Sequence, residues 1–298
     1  MKFSIYTPVF NGAKSIHRVQ KSVLSQTFRD FEWIIINDAS TDNSSEIIRD
    51  LIGSCDFPVN FIDLQKNIGF NRSMNLAIEK ATGEFFMIAH ADDEFVPETL
   101  QVLVDAWNTL PVEVQKGLQG VKCNCNDQHG NLVGDLFPKN YWIADIFDLV
   151  YKSKIKGEKW GFIRTEIRRE FLFPEEEKFV PETVIWHRMY YKYKALFINK
   201  SLRIYYIDDN VNRLSQTTRA KSKFSKGKRM LPLDYINLYF PRVGYNPRIM
   251  IVNFLSYWQY TFLSGIGIGQ GLKDITNPVM KVLALVFLLP GFVMSKRD

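Results

Sequence analysis

The sequence predicts an α/β fold: a Rossmann-like, mostly parallel sheet flanked by helices, with a helical C-terminal extension. Strand and helix signals alternate over residues 3–107 with short connections, the pattern of a parallel sheet with crossover helices. Phe31–Asn37 and Phe85–Ala89 are continuous apolar runs, as expected for strands covered on both faces. Ile249–Leu272 contains no charged residue, which predicts a different, helical environment near the end of the chain.

Each element of the first half has its own signal. Phe3–Thr7 is a predicted strand that ends at Pro8, and Ile16, Val19 and Val23 mark one face of the helix that follows. The later elements, in order, are the strand Phe31–Asn37, a helix beginning near Asn43, the strand Val59–Asp63, a helix that ends at Gly83, the strand Phe85–Ala89 and a helix beginning near Pro97.

Composition narrows the class of protein. The chain has 298 residues, of which 46% are hydrophobic and 23% charged, and this indicates a packed core. The net charge of +6 is spread along the chain, so it favours anions without indicating nucleic acid, and we expect no nucleic-acid partner. Three cysteines are too few for a disulfide framework. Met1–Tyr6 is predicted to be a strand and lacks the pattern of a secretory signal, so we expect a cytoplasmic protein.

Polar side chains follow the predicted parallel strands, at the edge of the sheet where ligands bind. Asn11 follows the first strand, Asp38 the second, and Asp92 and Asp93 follow Phe85–Ala89. Carboxylates gathered in one crevice need a counter-charge, and Asp92 and Asp93 offer the hard oxygen ligands that Mg²⁺ or Mn²⁺ prefers. Asp38 could accept a hydrogen bond from the imide N–H of uracil or thymine. A turn or helix-capping role is the alternative for each acid taken alone.

Two other nucleotide-binding classes fit less well. A dinucleotide-binding fold, with Asp38 on a ribose, needs a glycine-rich turn after the first strand, and Thr7–Gly12 has one glycine. A nucleotidyltransferase would need a glycine-rich loop with basic residues at the same place. The glycines of Gly265–Gly271 follow no clear strand, so they favour close packing or a turn over phosphate binding.

Six short motifs then stand in the order and spacing of family 2 glycosyltransferases, which this chain resembles over residues 3–110. They are Thr7–Gly12 (TPVFNG), Asn37–Asp42 (NDASTD), Asn67–Gly69 (NIG), the helix with Asn75, Ala81–Glu84 (ATGE) and Ala91–Asp93 (ADD). A second stretch, residues 157–182, is similar to the acceptor side of one bacterial branch, which also has the pattern Pro181-Glu182 before Trp186-His187-Arg188.

The resemblance implies the glycosyltransferase A-type fold and an inverting transfer from a nucleotide-diphosphate sugar, with a UDP-sugar as the expected donor. It implies a divalent metal, Mn²⁺ or Mg²⁺, at Asp92 and Asp93, and Glu182 as the catalytic base. The implied nucleotide-sugar-binding residues are Thr7, Pro8, Asn11, Asp38, Asn67, Gly69, Asn75 and Asp92. The implied acceptor is a glycan or a lipid-linked oligosaccharide, in the synthesis of surface polysaccharide such as lipopolysaccharide or capsule.

Two features depart from the family pattern or compete with it. His90 stands where the family has the first acid of its Asp-x-Asp motif, which removes one anionic ligand. This keeps a catalytically silent nucleotide-sugar-binding module as the alternative. Glu182 follows the run Glu175–Glu177, which is typical of a solvated surface, so Glu177 is the second candidate base. Trp160 could stack on an acceptor sugar or be a buried aromatic.

We predict a catalytic domain over residues 1–215, with a nucleotide-binding half (1–115) and an acceptor half (116–215). A basic linker (216–235) and a helical extension (236–298) follow. Val282–Met294 is apolar but too short to span a bilayer, which favours a helix in the membrane interface. Six of the eleven residues of Arg219–Arg229 are basic and would add attraction to anionic lipid. We therefore expect peripheral attachment at the inner face of the cell membrane, with a spanning segment or packing on the catalytic domain as alternatives.

Overall fold

The computed structural model describes residues 1–177, 179–207, 223–240 and 246–296. The chain divides into two compact units: Met1–Phe173 with Met189–Asp209, and Pro174–Arg188 with Asn210–Asp298. The end of the predicted catalytic domain (208–215) and the first part of the predicted basic linker (216–222) lie outside the described residues.

A nine-stranded sheet forms the centre of the first unit, in the order β3-β2-β1-β4-β8-β6-β9-β5, with β7 paired to β9. Its strands are β1 Phe3–Val9, β2 Phe31–Asn37, β3 Val59–Asp63, β4 Phe85–Ile88, β5 Glu94–Phe95, β6 Leu118–Asp127, β7 Trp142–Ala144, β8 Lys159–Arg164 and β9 Lys194–Tyr205. The four strands from β3 to β4 are parallel, whereas β8 runs antiparallel to both β4 and β6. The predicted α/β class is confirmed; the four adjacent parallel strands come from the first half of the unit, and β6 and β9 also pair in parallel.

The helices of this unit connect the strands. They are α1 Ile16–Leu24, α2 Ser44–Ile52, α3 Phe70–Lys80, α4 Thr99–Asn108, α5 Val112–Gln115 and α6 Thr165–Glu170, with a π-helical turn at Phe147–Lys152; α7, Glu182–Lys192, contains the boundary between the two units. The strands β1, β2 and β4 are buried almost throughout. Phe3, Phe85 and Phe162 pack ring to ring between them, with centroids 4.0–5.6 Å apart. This burial holds the ends of the parallel strands in fixed register.

The Ala81–Glu84 motif has a structural role at the start of β4. The buried Glu32 carboxylate accepts hydrogen bonds from the Thr82 main chain (2.7 Å) and from the Ser4 hydroxyl. Gly83 lies so close to β1 that a Cβ atom would meet the Phe3 carbonyl carbon at 2.5 Å. Glycine is therefore required at this position because two backbones touch.

The second unit is helical. Its helices are α8 Ser225–Asp234, α9 Pro247–Leu263, α10 Ile268–Asp274, α11 Pro278–Val286 and α12 Leu288–Ser295, with a π-helical turn at Tyr235–Tyr239. Phe254, Tyr257 and Trp258 of α9 form its core with Met280 and Ala284 of α11. Among the described residues no single helix is long and apolar enough to cross a bilayer, while α11 and α12 together, bent by 56°, have the length and composition that could.

Residues 174–188, which we predicted within the domain 1–215, belong to this helical unit. His187 packs edge-on against Tyr235 and Tyr239, and Arg188 donates two hydrogen bonds to the Asp234 carboxylate, at 2.7 and 3.0 Å. These contacts join the first turns of α7 to the end of α8 and to the π-helical turn that follows it. No local pattern in the sequence predicts these contacts.

Arg229, the last residue of the predicted basic stretch, is buried. Its guanidinium donates to the Thr261 hydroxyl at 2.8 Å, to the Tyr257 hydroxyl and to the Asp274 carboxylate at 2.5 Å. Lys223 and Lys226, by contrast, are exposed. Arg229 therefore stabilises the unit and is not available to bind lipid.

Gly291 lets α12 pack closely on α9. A Cβ atom there would lie 2.4 Å from the Trp258 Cβ and 3.3 Å from main-chain atoms of α9. We expect Gly291→Ala to lower the free energy of unfolding by about 1–3 kcal/mol, because the two helices must move apart. Urea unfolding of the full chain measures this. Gly269→Ala in α10, where a Cβ meets nothing within 4 Å, is the matched control and should leave stability unchanged or slightly raised.

His187 makes the stability of the second unit depend on pH. Burial lowers the pKa of His187 to about 4, and its Nδ1 has no hydrogen-bond partner within the described part of the chain. The unfolded chain takes up this proton near pH 6.5, so stability falls as the pH drops from about 6.5 towards 4. We expect His187→Phe to remove roughly 3 kcal/mol of that loss. Unfolding at pH 7 and pH 4.5 measures it, with exposed His17→Phe as the control that should change nothing.

Candidate active site

The ends of β1, β2 and β4 meet at one edge of the sheet. Val9 is in register with Asn37, and the main-chain N–H of Asp38 donates to the Val9 carbonyl at 2.8 Å. The N–H of Ala89 donates to the Tyr6 carbonyl at the same distance. The loops with Asn11, Asp38 and Asp92 therefore leave the sheet side by side, as the parallel pattern predicts.

The loops after β1 and β2 are joined by hydrogen bonds. Asn11 has a left-handed backbone (φ +54°), which asparagine tolerates better than most residues. Its N–H donates to the Ser40 hydroxyl at 2.9 Å, and its side-chain oxygen accepts the N–H of Thr41 at 2.8 Å. Thr7 lies in the core, where its hydroxyl accepts the Trp33 indole N–H at 2.9 Å, and Pro8 is half-buried beside it. Thr7 thus supports this loop from inside the sheet.

Asp38 holds the loop of the Asn67–Gly69 motif. Its two carboxylate oxygens accept the main-chain N–H groups of Ile68 (2.7 Å) and Gly69 (2.9 Å), while the Asn67 amide donates to the Asp38 carbonyl at 3.0 Å. Burial raises the pKa of Asp38, and the two N–H donors oppose that rise. Because each carboxylate oxygen has a second lone pair, Asp38 can still accept one N–H from a ligand.

Asp92 is the acid of this edge that remains available. Its main-chain carbonyl accepts a hydrogen bond from Arg18 at 3.1 Å, but its half-buried carboxylate has no hydrogen bond or ion pair with any described residue. His90, two residues earlier, stacks on Phe70 with ring centroids 6.2 Å apart. The edge thus presents one carboxylate and one imidazole where the family pattern has two acids.

Asp93, the other predicted metal ligand, forms a buried ion pair with Arg203 of β9. Arg203 donates to the same carboxylate oxygen from Nε, at 2.9 Å, and from Nη2. Burial raises the pKa of Asp93, although the positive charge of the Arg203 guanidinium opposes the rise. The negative charge of Asp93 raises the pKa of Arg203 against the effect of burial. The Asp93 carboxylate therefore compensates the positive charge of Arg203. No motif in the sequence indicates this pairing.

Two further predicted residues support the edge. Asn75 binds the Phe173 main chain through both ends of its amide, at 2.8 and 2.9 Å. Trp160 is buried, and its indole N–H donates to the Ile88 carbonyl at 2.6 Å, just before the segment with His90. Of the two alternatives for Trp160, stacking on an acceptor sugar or burial, the structure shows burial. Both residues position the chain around the site.

Metal-ligating side chains are sparse in the described part of the chain: it contains no group of three His, Cys, Asp or Glu residues that could hold an ion. A metal at this edge would use Asp92, with His90 as a second donor, and fill its remaining positions from a ligand such as a diphosphate. That coordination fits Mg²⁺ or Mn²⁺, which commonly bind through few protein carboxylates.

Glu182 is the first residue of α7 and belongs to the second unit. It is half-buried, and its carboxylate has no hydrogen bond or ion pair with the residues that the structure describes. Glu177 is also half-buried, whereas Glu175 and Glu176 are exposed. Glu182 therefore has the unengaged carboxylate that a general base needs.

Comparison with known sequences shows which proteins this chain resembles. The model of "Glycosyl transferase family 2" matches residues 4–132. An uncharacterized glycosyltransferase of Nostoc sp. is 29% identical over 86% of this chain and 81% of its own length. The GalNAc(5)-diNAcBac-PP-undecaprenol beta-1,3-glucosyltransferase of Campylobacter jejuni is 28% identical over 69% of this chain, which spans 65% of that relative.

Solved structures agree on the fold. S. aureus TarS 1-349 in complex with UDP-GlcNAc has a TM-score of 0.70 at 16% identity, with 99% of this chain and 91% of that chain covered. The mannosyltransferase PcManGT of Pyrobaculum calidifontis, in complex with GDP-Man and Mn²⁺, has a TM-score of 0.54 at 15% identity, covering 100% and 87%. The fold and the sequence comparisons together define a glycosyltransferase. Residues 4–132 form its family 2 domain.

Proposed function

We propose that this glycosyltransferase moves a sugar from a UDP-sugar to a hydroxyl group of a glycan or lipid-linked acceptor, with inversion and with the help of Mn²⁺ or Mg²⁺. The observation that carries the proposal is the edge of the sheet where the loops with the buried Asp38 and the unpartnered carboxylate of Asp92 stand on either side of the loop after β1. One carboxylate there can bind a nucleobase and the other can serve a metal-bound diphosphate.

The donor site consists of the loops after β1 and β2 and the Asn67–Gly69 loop. Asp38 accepts the N3–H of uracil while it holds the Gly69 main chain, and Asn11 orders the loop beside the ribose. The complexes of S. aureus TarS with UDP and UDP-GlcNAc support this choice of base, since that protein shares the fold. An adenine base has no ring N–H to donate here and would lose this hydrogen bond.

Asp92 is the proposed metal ligand, with His90 beside it. A divalent ion held there would neutralise negative charge on the departing diphosphate. Asp93 does not fit as a ligand because its carboxylate is buried and compensates the charge of the Arg203 guanidinium, so we propose that this ion pair positions the loop with Asp92. The Mn²⁺ in the PcManGT complex supports the use of a metal on this fold.

Glu182 is the proposed general base. The acceptor hydroxyl oxygen forms a bond to the anomeric carbon as the bond from that carbon to the UDP oxygen breaks, and the hydroxyl proton passes to the Glu182 carboxylate. A single displacement of this kind inverts the anomeric configuration. Glu182 suits the role because nothing in the described chain already binds its carboxylate.

The acceptor class rests on the relatives. The Campylobacter jejuni relative is named for an undecaprenol diphosphate acceptor, and TarS is named as a poly(ribitol-phosphate) beta-N-acetylglucosaminyltransferase. We propose that this chain likewise extends a glycan or lipid-linked acceptor in surface polysaccharide synthesis, at the inner face of the cell membrane.

The test is a turnover assay on the purified full chain. UDP release from a panel of UDP-sugars is followed with Mn²⁺ or with EDTA, with undecaprenyl diphosphate-linked and free oligosaccharide acceptors, and NMR of the product gives the anomeric configuration. We expect metal-dependent transfer with inversion. Binding of UDP without turnover of any UDP-sugar would instead favour the silent nucleotide-sugar-binding module.

A further inference from the structure

The last two helices carry a continuous set of exposed apolar side chains. We call this set the apolar face: Val279, Val282 and Val286 of α11 and Leu289, Phe292 and Val293 of α12, each at least 41% exposed. Met280, Ala284 and Gly291, on the other side of the same helices, are buried in the unit. The two helices are therefore apolar on both their inner and outer sides.

This composition is unusual for a helix that faces water. Between Ile275 and Ser295 the sequence has one charged residue, Lys281. A helix on a protein surface normally presents polar residues outward, and one that is apolar all round is normally covered by protein or lipid. The apolar face therefore indicates an apolar partner.

The bend between α11 and α12 has a structural cause. The Trp258 indole of α9 donates to the Ala284 carbonyl at 2.7 Å, and the Phe287 N–H donates to the same oxygen at 3.1 Å. Pro290 has no N–H to donate to the Val286 carbonyl, so the helix is interrupted at this point, and Gly291 then allows α12 to pack directly on Trp258. A straight helix over these residues would be roughly 27 Å long, close to the thickness of a bilayer core. The bend of 56° instead keeps both helices against α9 with one side exposed.

The charged residues near the apolar face indicate which kind of apolar partner it binds. Lys281 lies within α11 and Lys296 directly after α12, where its ammonium is 5.4 Å from the centre of the Phe292 ring. The sequence has no acidic residue from Ile275 to Lys296. Lysines beside an aliphatic surface can keep their stems on it and extend their charges to lipid phosphates.

We propose that the apolar face inserts into the interface of an anionic phospholipid bilayer, with α11 and α12 lying in the membrane plane and Lys281 and Lys296 on headgroup phosphates. The role of this membrane contact rests on the proposed function, since a lipid-linked acceptor is presented at such a surface. The lipid contact itself requires no sugar transfer, so the two can fail separately.

The test is flotation of the purified full chain with vesicles of phosphatidylcholine alone or mixed with phosphatidylglycerol. We expect the wild type to float with the mixed vesicles and the double variant Val282→Asp/Leu289→Asp to partition at least ~10-fold less. Val112→Asp in α5 is the matched control, because Val112 is 66% exposed and Val282 65%, and it should float like the wild type. Lys281→Gln/Lys296→Gln should weaken binding to the mixed vesicles only.

Three results would overturn the proposal. One is a wild type that floats with neither vesicle, and another is a double variant that floats like the wild type. The third is a wild-type dimer, seen by sedimentation, that the double variant converts to monomer without any vesicle binding; the apolar face would then join two copies. Val282→Ser/Leu289→Ser serves if the aspartates prevent folding. Stabilisation of the variants by UDP reports the donor site independently, so loss of lipid binding is distinguishable from failure of the proposed function.

Discussion

Asp92→Asn is expected to reduce sugar transfer at least ~10²-fold. The substitution keeps the shape of the side chain and removes the one carboxylate at this edge that no described residue engages. Without that charge the proposed metal loses its anionic protein ligand, and the diphosphate leaves with less compensation. The measurement is UDP release with saturating UDP-sugar and Mn²⁺, in the acceptor assay described above.

The matched control is Asp30→Asn. Asp30 is an exposed acid directly before β2, at the opposite edge of the same sheet, so its neutralisation should leave transfer unchanged. If Asp92→Asn kept transfer within twofold of the Asp30→Asn variant, Asp92 could not be the metal ligand.

Glu182→Gln is expected to lower kcat by about 10²–10⁴-fold, because the amide cannot take the proton of the acceptor hydroxyl. Binding of UDP should be unchanged, since the proposed donor residues all lie in the other unit. Rapid-quench turnover with saturating donor and acceptor measures kcat, and calorimetry with UDP and Mn²⁺ measures binding. This split between lost turnover and retained binding is what separates a base from a residue that merely supports the fold.

Two acidic residues near Glu182 provide a control and a test of the alternative base. Glu176→Gln changes an exposed residue of the same acidic run and should have full activity. Glu177→Gln tests the second candidate base. Loss of transfer in Glu177→Gln together with normal transfer in Glu182→Gln would contradict our assignment and move the role to Glu177.

The parallel half of the sheet was predictable because its signals are local. Phe31–Asn37 and Phe85–Ala89 are buried strands, and apolar runs of that length bounded by polar residues indicate such strands. Once the strands are parallel, their carboxyl ends must share an edge, which brings Asp38 and Asp92 to the same side of the sheet. The prediction of where the acids lie needed no long-range information.

Which of the acids is engaged by another side chain and which stays available was not predictable in this way. Arg203 is 110 residues from Asp93, and Asn75 is 98 residues from Phe173, so both pairings depend on how distant segments assemble. A carboxylate that a sequence motif assigns to metal can thus be occupied by an arginine from another strand. The antiparallel course of β8 is a similar case, since nothing in its sequence specifies strand direction.

The second unit shows the same limit. Val282–Met294 indicates a short apolar segment with a local break at Pro290, but the hydrogen bond from Trp258 to the Ala284 carbonyl, next to that break, comes from another helix. The burial of Arg229 depends on Asp274 and Tyr257 in the same way. Hydrophobic and basic stretches can be located in a sequence, whereas which of their residues face outward depends on tertiary contacts.

Thermal unfolding with nucleotides tests the central claim most directly, because a ligand that binds the native state raises the unfolding midpoint. The full chain is measured with UDP, dTDP, GDP and NAD, each with Mn²⁺ or with EDTA. We predict that UDP with Mn²⁺ raises the midpoint, that EDTA or Asp92→Asn weakens the effect, and that GDP and NAD stabilise less. If no nucleotide raises the midpoint under either condition, or if UDP acts equally on Asp92→Asn, the proposed donor and metal site is wrong.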